Sequence, residues 1–465
     1  MAGVGFQLAR MARDGGVGGI AGAALHGAAI SAGPWLVTAA AMTAFDAWTA
    51  AHLAADGARM VQTVLVYAFS LSALVAAPIG VVATRLVADR LFAGEMERIP
   101  GIIVAALAAG GAAGLSLGAL LFAGPAALPP APAVAGAVTL AWLAQVWIAA
   151  PLLTALRRYR AVPAAYLVGA GLAAAVLLLA APRDAVTALV VVAAGCGTTL
   201  AAIAVLLRRH FPHPAVLPAR DVLPPRLAWL VALSGVAGVA AIWIDKWLLW
   251  HAPGSAAVLG ALRLNPINDL GSFLGLLTMV PGLTLVLIVG ETRFDVAFGN
   301  LMARCTGTSS LDRIEEAHRE LVSTMLAALR LLVLVQAIVA ALAWVLAVPL
   351  LDLIGADVRA IFAFRQTAAG AVFHLLAIAA TVVLAYYDLF GRILLTWAAF
   401  ALASAAATLG QFDAGFAADG WGYMSGAIVG AAVGVALAGE ATANLVYLLF
   451  VGNNPAVVGP GGRVL

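Results

Sequence analysis

The feature that most constrains this chain is a succession of apolar runs, each long enough to cross a membrane. About 20 apolar residues in an α-helix span a hydrocarbon core. Runs of that length occupy 19–43, 61–86, 101–124, 134–156, 161–182 and 185–207. After a polar, proline-containing stretch from Arg208 to Arg226 they resume at 227–250, 269–290, 321–350, 360–387, 389–411 and 424–450. The pattern predicts an all-α integral membrane protein of about twelve transmembrane helices, six plus six. Residues 1–207 are expected to form an N-terminal six-helix bundle, 208–226 a cytoplasmic linker, and 227–465 a C-terminal six-helix bundle. Composition closes the soluble alternative. Only 10% of the residues are charged and 64% are hydrophobic, where a soluble surface needs about a quarter charged.

Arg10 and Arg13 ahead of the first run resemble the start of a signal peptide. The run is too long for one and many more follow, so it reads as a retained first helix. With the N-terminus inside, the inner loops collect most cations, including Arg85, Arg90, Arg98, Arg158, Arg160, Arg208 and Arg209. The outer side receives Arg59, Arg183, Lys246, Arg263, Arg359 and Arg365. That bias is the one that orients membrane proteins, and it places both termini in the cytoplasm. It also accounts for the net charge of +3 without a nucleic-acid partner.

Several chemistries are missing from the sequence. The single Lys, Lys246, is followed by Trp247 in an apolar helix, so no P-loop is present. No Asp-x-Asp, His-Glu-x-x-His or Cys-x-x-Cys occurs. Cys196 and Cys305 lie far apart, and His210 and His213 read as solvated loop residues. No metal, cofactor or enzymatic site is expected. Transport or a membrane scaffold remains.

Small residues carry the helix packing. Gly110, Gly111, Gly114 and Gly118 form one close-packing face, and Gly426, Gly430 and Gly434 another. The segment 309–321 is different. Ser309 with Asp312 resembles a capping box, Glu315 and Arg319 are an i,i+4 pair, and Leu311, Ile314, His318 and Leu321 share a stripe. It predicts an amphipathic cytoplasmic helix leading into the ninth span, with its stripe on the interface or on a partner.

Charges inside a bilayer are costly, so each is a functional candidate. Asp245-Lys246 lies near the outer end of the seventh span. Neighbouring residues diverge on a helix, so both are expected to pair with other helices or to line a wet cavity. Arg263, Asn265, Asn268 and Asp269 then close the network. The alternative is interfacial anchoring, with Lys246 reaching for the headgroups and Trp243, Trp247 and Trp250 forming a belt. A second set, Glu291, Arg293, Asp388, Arg392 and Glu440, sits near inner span ends, where it either stitches helices or forms a gate. Pro34, Pro78, Pro151 and Pro281 interrupt spans and predict kinks. His374, Tyr386 and Tyr387 offer stacking and hydrogen bonding to a sugar, or packing against neighbours.

These residues carry a resemblance. Ala2-Gly3-Val4-Gly5-Phe6-Gln7-Leu8, then Ile30-Ser31-Ala32-Gly33-Pro34-Trp35, resembles the start of PelG-type proteins, the membrane transporters of Pel exopolysaccharide systems. Trp243-Ile244-Asp245-Lys246-Trp247, Pro266-Ile267-Asn268-Asp269, Pro281, Glu291-Thr292-Arg293-Phe294 and Tyr387-Asp388-Leu389 follow in order. Departures are Gln7 where the family usually has Glu, Leu8-Ala9-Arg10 in place of a basic cluster, and Asn268 in place of Tyr. The resemblance implies a multidrug/oligosaccharidyl-lipid/polysaccharide flippase-like fold, two six-helix bundles around a central cavity. It also implies a bacterial inner membrane, a polysaccharide substrate, and as partners a cytoplasmic glycosyltransferase and other Pel-type inner-membrane proteins.

The expected substrate path runs from Asp245, Lys246, Arg263, Asn268 and Asp269 at the outer mouth to Glu291, Arg293 and Asp388 at the inner one, with His374 and Tyr387 along it. Asp269 and Glu291 are the principal residues. An ion-coupled multidrug exporter of the same superfamily and a non-transporting synthase scaffold are the alternatives.

Overall fold

A computed structural model describes residues 16–156, 158, 160–216, 223–253, 255 and 257–451. The opening motif Ala2 to Leu8 and Arg10, Arg13, Arg157, Arg220 and Arg463 lie outside the described residues. Among the described residues, eleven helices are long and apolar enough to cross a membrane, and a bent pair makes up to twelve. The fold is all-α and membrane-spanning, as the hydropathy pattern requires.

The first helices are α1 (Gly16–Ser31), α2 (Gly33–His52), α3 (Ala55–Ala93), α4 (Ile99–Ala123), α5 (Pro130–Ala155), α6 (Ala161–Ala180) and α7 (Ala185–His210). Then come α8 (Pro225–Leu249), a hairpin of β1 (Ala257–Leu259) and β2 (Leu262–Arg263), α9 (Pro266–Leu277) and α10 (Val280–Val289). A π-helical turn (Gly290–Phe294) leads into α11 (Asp295–Thr306) and α12 (Leu311–Leu353). The chain closes with α13 (Ala360–Tyr386), α14 (Phe390–Leu409), α15 (Trp421–Ala443) and α16 (Leu445–Phe450).

The four prolines behave in two ways. Pro78 and Pro151 sit inside continuous helices, as does Pro349 in α12. Pro34 and Pro281 instead stand in the first turns of α2 and α10. The expected first span, 19–43, is therefore broken at Ala32, and its two pieces meet at 83°. Proline lacks the N–H that a helix interior uses and its ring clashes with the carbonyl four residues back, whereas a first turn has no such bond to lose.

Two compact units share the chain. The N-terminal unit comprises Ala32–Trp243 and Leu249–Asn265. Its core gathers Ile99, Ile148, Leu152, Leu153 and Ile203 from α4, α5 and α7, all at most 1% exposed. The glycine face of α4 packs on α5. A Cβ on Gly118 would stand 2.6 Å from the Cα of Ala137, and one on Gly114 2.8 Å from that of Ala141.

The C-terminal unit comprises the described residues up to Ser31, Ile244–Leu248, and those from Pro266 onward. The glycine face of α15 packs on α14. A Cβ on Gly426 would stand 2.6 Å from that of Ser404, and one on Gly430 2.8 Å from that of Phe400. The amphipathic segment is the first three turns of α12, which runs unbroken for 43 residues. At 1.5 Å per residue that is about 65 Å, roughly twice a hydrocarbon core.

Ser310, not Ser309, precedes that helix, in an extended conformation and without a side-chain capping bond. Ile314, Ala317 and Leu321 are buried in one cluster with Phe294, Leu301, Leu384 and Ala441. His318 Nε2 lies 2.7 Å from the carbonyl oxygen of Thr442. Leu311, at 63% exposure, falls off the stripe. The apolar stripe thus meets this chain's own helices. Ile314→Asp puts a charge into that cluster at a cost of several kcal/mol, and should loosen the docked end of α12. Limited proteolysis at 307–310 should then run several-fold faster than in the unaltered protein.

Candidate functional site in the C-terminal unit

The last turns of α8 carry Asp245 and Lys246 into the C-terminal unit, where they are 1% and 5% exposed. The Lys246 ammonium lies 3.1 Å from each Asp245 carboxylate oxygen. This corrects the expectation that adjacent residues must turn to other helices. The argument from diverging Cα directions ignores the four-carbon stem of Lys, which is long and flexible enough to fold back over its neighbour. The Trp250 ring, 1% exposed, lies 4.7 Å from that of Tyr67 at a tilt of 45°, within the N-terminal unit.

The Lys246 ammonium also faces the ring of Tyr423, 5.3 Å from its centroid, a cation–π contact. The Tyr423 hydroxyl lies 2.6 Å from His374 Nδ1 and donates weakly to Met279 Sδ at 3.9 Å. Around His374 the rings of Trp397, Phe400 and Tyr423 stand at 5.7, 5.1 and 5.8 Å. Of the two roles open to His374, packing is the one it fills here, since it is 3% exposed. Asp419, just before α15, is 5% exposed. Burial and then the charge of Asp245 push its carboxyl up to about 6.

The second part of the site is the broken span from 266 to 306. Asn268 lies in the first turn of α9, fully buried, and its Oδ1 accepts from Ser272 Oγ at 3.4 Å. Ser272 in turn accepts from Thr367 Oγ1 of α13 at 3.5 Å. Asp269, beside it, is half-buried. At the break before Pro281 the carbonyl of Thr278 takes a hydrogen bond of 2.9 Å from Gln336 Nε2, which is fully buried in α12. Ser31, at the end of α1, shares a 3.0 Å hydrogen bond with Thr284 of α10. Then comes the π-helical turn, which contains half-buried Glu291 and exposed Arg293. Single π turns inside α-helices mark functional positions often enough to single this one out.

Residues 1–450 match the sequence profile of the PelG family, described as "Putative exopolysaccharide Exporter (EPS-E)". The chain belongs to the PelG family. No curated protein sequence is similar enough to the chain to count as a relative. Among solved structures, the fold is shared with a MATE transporter in its straight conformation, with 15% identity and TM-score 0.64 over 91% of this chain and 96% of that one. A MATE in the bent conformation aligns with 14% identity and TM-score 0.64 over 96% of this chain and 99% of that one. A MOP superfamily transporter from Pyrococcus furiosus gives 15% identity and TM-score 0.63 over 91% and 96%. Family and fold are those of transporters.

In this PelG-family chain the motif residues fall into separate places. Arg263 is in the N-terminal unit, where its guanidinium bonds the carbonyl and hydroxyl of Ser255 at 2.7 and 3.1 Å. Tyr67 ties both backbone atoms of Arg263 through its hydroxyl. Asp388 follows α13 at φ 63. Its N–H bonds Ala385 and that of Leu389 bonds Leu384, at 3.1 and 3.0 Å. This is the Schellman closure usually given to glycine, so Asp388 has a structural duty whatever else it does.

Stitching holds for two of the inner-end residues. Arg392 pairs with Glu440, joining α14 to α15, and also bonds the carbonyl of Leu437 at 3.1 Å. Tyr387 shares a 3.1 Å hydrogen bond with Thr442. Tyr386 reaches Asp295 at 3.3 Å, and Phe294 and Phe298 meet its ring edge-on at 5.0 and 5.4 Å.

The sequence reading passes over Asp419, Tyr423, Gln336 and Thr442. Gln336 carries a signal, a lone amide in the middle of an apolar run. Tyr423 and Asp419 carry little, because each resembles ordinary residues of a span end.

Proposed function

We propose that the protein exports an exopolysaccharide, Pel-like and hexosamine-rich, or its precursor, from cytoplasm to periplasm across the bacterial inner membrane. The observation that carries this reading is a family match along almost the whole chain, joined to a transporter fold. Both termini are cytoplasmic by the arginine bias, and a cytoplasmic glycosyltransferase with other Pel-type inner-membrane proteins hands over the chain. Alternating access by two six-helix bundles, 1–207 and 227–465, is the mechanism suited to such a fold. Asp269 and Glu291 are the carboxylates we assign to the path. Both are half-buried, and both sit at irregular points of one span, the first turn of α9 and the π turn.

The test is export in a strain lacking the gene, with the partner glycosyltransferase intact, measuring secreted and cell-retained hexosamine polymer. Deletion should abolish secretion. The unaltered gene should restore it, while Asp269→Ala or Glu291→Ala should restore less than a tenth despite normal insertion. Unchanged secretion on deletion removes the polysaccharide reading and brings the cation-coupled drug exporter to the front. Full export by both variants removes the site assignment alone.

A further inference from the structure

Gly290 has no conformational reason to be glycine. It opens the π turn at φ −55 and ψ −53, an ordinary right-handed helical pair, where glycine weakens a helix relative to alanine. Packing supplies no reason either, since a Cβ at Gly290 meets nothing within 4 Å. Earlier glycines of the same broken span are different. A Cβ on Gly275 would stand 2.6 Å from that of Thr367, and one on Gly282 would run into Leu375.

The space over Gly290 is a groove of about 560 Å³, measured out to its open side, between α10, α12 and α13. Every side chain lining it is apolar. Its floor is Phe294, Met325, Leu332 and Val383, all buried, and Leu331 on its rim is exposed. Leu331 heads a stripe on α12 with Ile338 and Leu342, at i, i+7 and i+11, and both of these are exposed too. An exposed apolar stripe along a span faces hydrocarbon, so the groove opens towards lipid. It also runs along the helices. Met325 to Leu332 covers about 10 Å and Leu285 to Phe294 about 14 Å at 1.5 Å per residue, close to half of a hydrocarbon core of roughly 30 Å. Water finds no polar partner there, and a void would leave the lining atoms without dispersion contacts. A lipid tail fits both the shape and the chemistry.

One end of the groove is charged. Gly290 and Phe294, the two ends of the π turn, both line it. Between them Arg293 is exposed, with no hydrogen bond or ion pair among the described residues. Asp295 is exposed and accepts from the Tyr386 hydroxyl at 3.3 Å, and tyrosine is a residue that settles at headgroup level. A guanidinium matches a phosphate, and a carboxylate matches an ammonium. Glu291, Arg293 and Asp295 together supply two carboxylates and one guanidinium, which disfavours an anionic headgroup and suits one that also carries an ammonium.

We propose that this groove binds one acyl chain of a phosphatidylethanolamine-type lipid, with Arg293 on its phosphate and Asp295 on its ammonium. The tail packs on Gly290, where a side chain would take its place. The site stands apart from the exporter reading, because a lipid can lean on the π turn whether or not polymer passes it.

The probe is a phosphatidylethanolamine with a diazirine midway along one acyl chain, supplied to the protein in phosphatidylcholine nanodiscs. After illumination, mass spectrometry of peptides should place label on the groove walls in α10, α12 and α13. The exposed apolar face of α6, with Leu167, Val168 and Leu172, reports ordinary boundary lipid. Replacing part of the phosphatidylcholine by unlabelled phosphatidylethanolamine should lower groove labelling well before α6 labelling. Phosphatidylglycerol at the same fraction should lower neither. Gly290→Leu should cut groove labelling about tenfold relative to α6, the affinity lost with about two buried CH₂ groups. Ala379→Phe fills the groove from the α13 wall and should do the same, and it decides the matter if Gly290→Leu does not elute as a single species. Arg293→Gln with Asp295→Asn should keep label in the groove and lose the preference for phosphatidylethanolamine.

Groove and α6 labelling that fall together would mean boundary lipid only and would overturn the proposal. Undiminished groove labelling in a monodisperse groove-filling variant would overturn it as well. Equal competition by phosphatidylglycerol would overturn the headgroup assignment. Release of the label by a soluble hexosamine oligomer would make the groove a stretch of the polymer path instead.

Discussion

The Lys246→Met protein is expected to lose about 3–5 kcal/mol of stability, the cost of leaving a buried carboxylate without its partner. Met keeps most of the stem volume, so packing around Tyr423 and the last turns of α8 should survive and the loss should be electrostatic. The pair Asp245→Asn with Lys246→Met removes both charges together. It should recover most of the loss, because replacing a buried ion pair by uncharged groups is often close to neutral. The readout is the thermal midpoint in detergent for the two single variants and the double, a cycle in which neighbours are expected to be strongly non-additive. Equal losses in Lys246→Met and the double variant would show that Asp245 does not depend on Lys246, contrary to the 3.1 Å contacts.

The same pair shows where sequence reading stops. Spans are legible because transfer of about 20 residues into hydrocarbon sums over a window and tolerates errors in any one residue. Twelve apolar runs accordingly return, among the described residues, as eleven spans and one bent pair. The glycine faces are legible for a related reason: without a hydrophobic effect between helices, small residues at every fourth position have little other use. Pairing is a different matter. It depends on where a side chain of several rotatable bonds ends up, and periodicity reports only where it starts. Asp245 and Lys246 meet because of the Lys stem, and Tyr423 comes under the ammonium from α15, 177 residues along the chain. Neither event leaves a periodic trace.

Prolines fall between these cases. All four positions are legible, but whether a proline bends a helix or begins one depends on what donates to the freed carbonyls. Before Pro281 the carbonyl of Thr278 accepts from Gln336 of α12, 58 residues along the chain, where two residues interrupt the helix between α9 and α10. Pro78 and Pro151 stand in helices that continue. Gln336→Leu removes that fully buried donor and should cost about 1–3 kcal/mol, measured as a drop in thermal midpoint. In the PelG-family chain the break matters because the π turn with Glu291 begins nearly three turns beyond it.

The largest effect expected in the N-terminal unit comes from filling the glycine face of α4. In Gly114→Leu/Gly118→Leu, each new Cβ starts 2.8 or 2.6 Å from a backbone Cα of α5, closer than two carbons approach. Backbone atoms cannot rotate away as side-chain ends do, so α4 and α5 must separate along two turns. Overpacking one site costs about 1–3 kcal/mol, and two sites on one face should together exceed about 3 kcal/mol, enough to prevent recovery of folded protein from membranes.

The control is Gly171→Leu in α6, where a Cβ meets nothing within 4 Å. That variant gains apolar surface and loses a poor helix former, so it should insert and purify at the unaltered level. Detergent-solubilised yield and monodispersity on size exclusion decide the matter. If both leucine variants purify equally well, α4 and α5 do not touch along the glycines. If only the double variant fails, close backbone approach is what holds the N-terminal unit together, and the high glycine content reflects that demand.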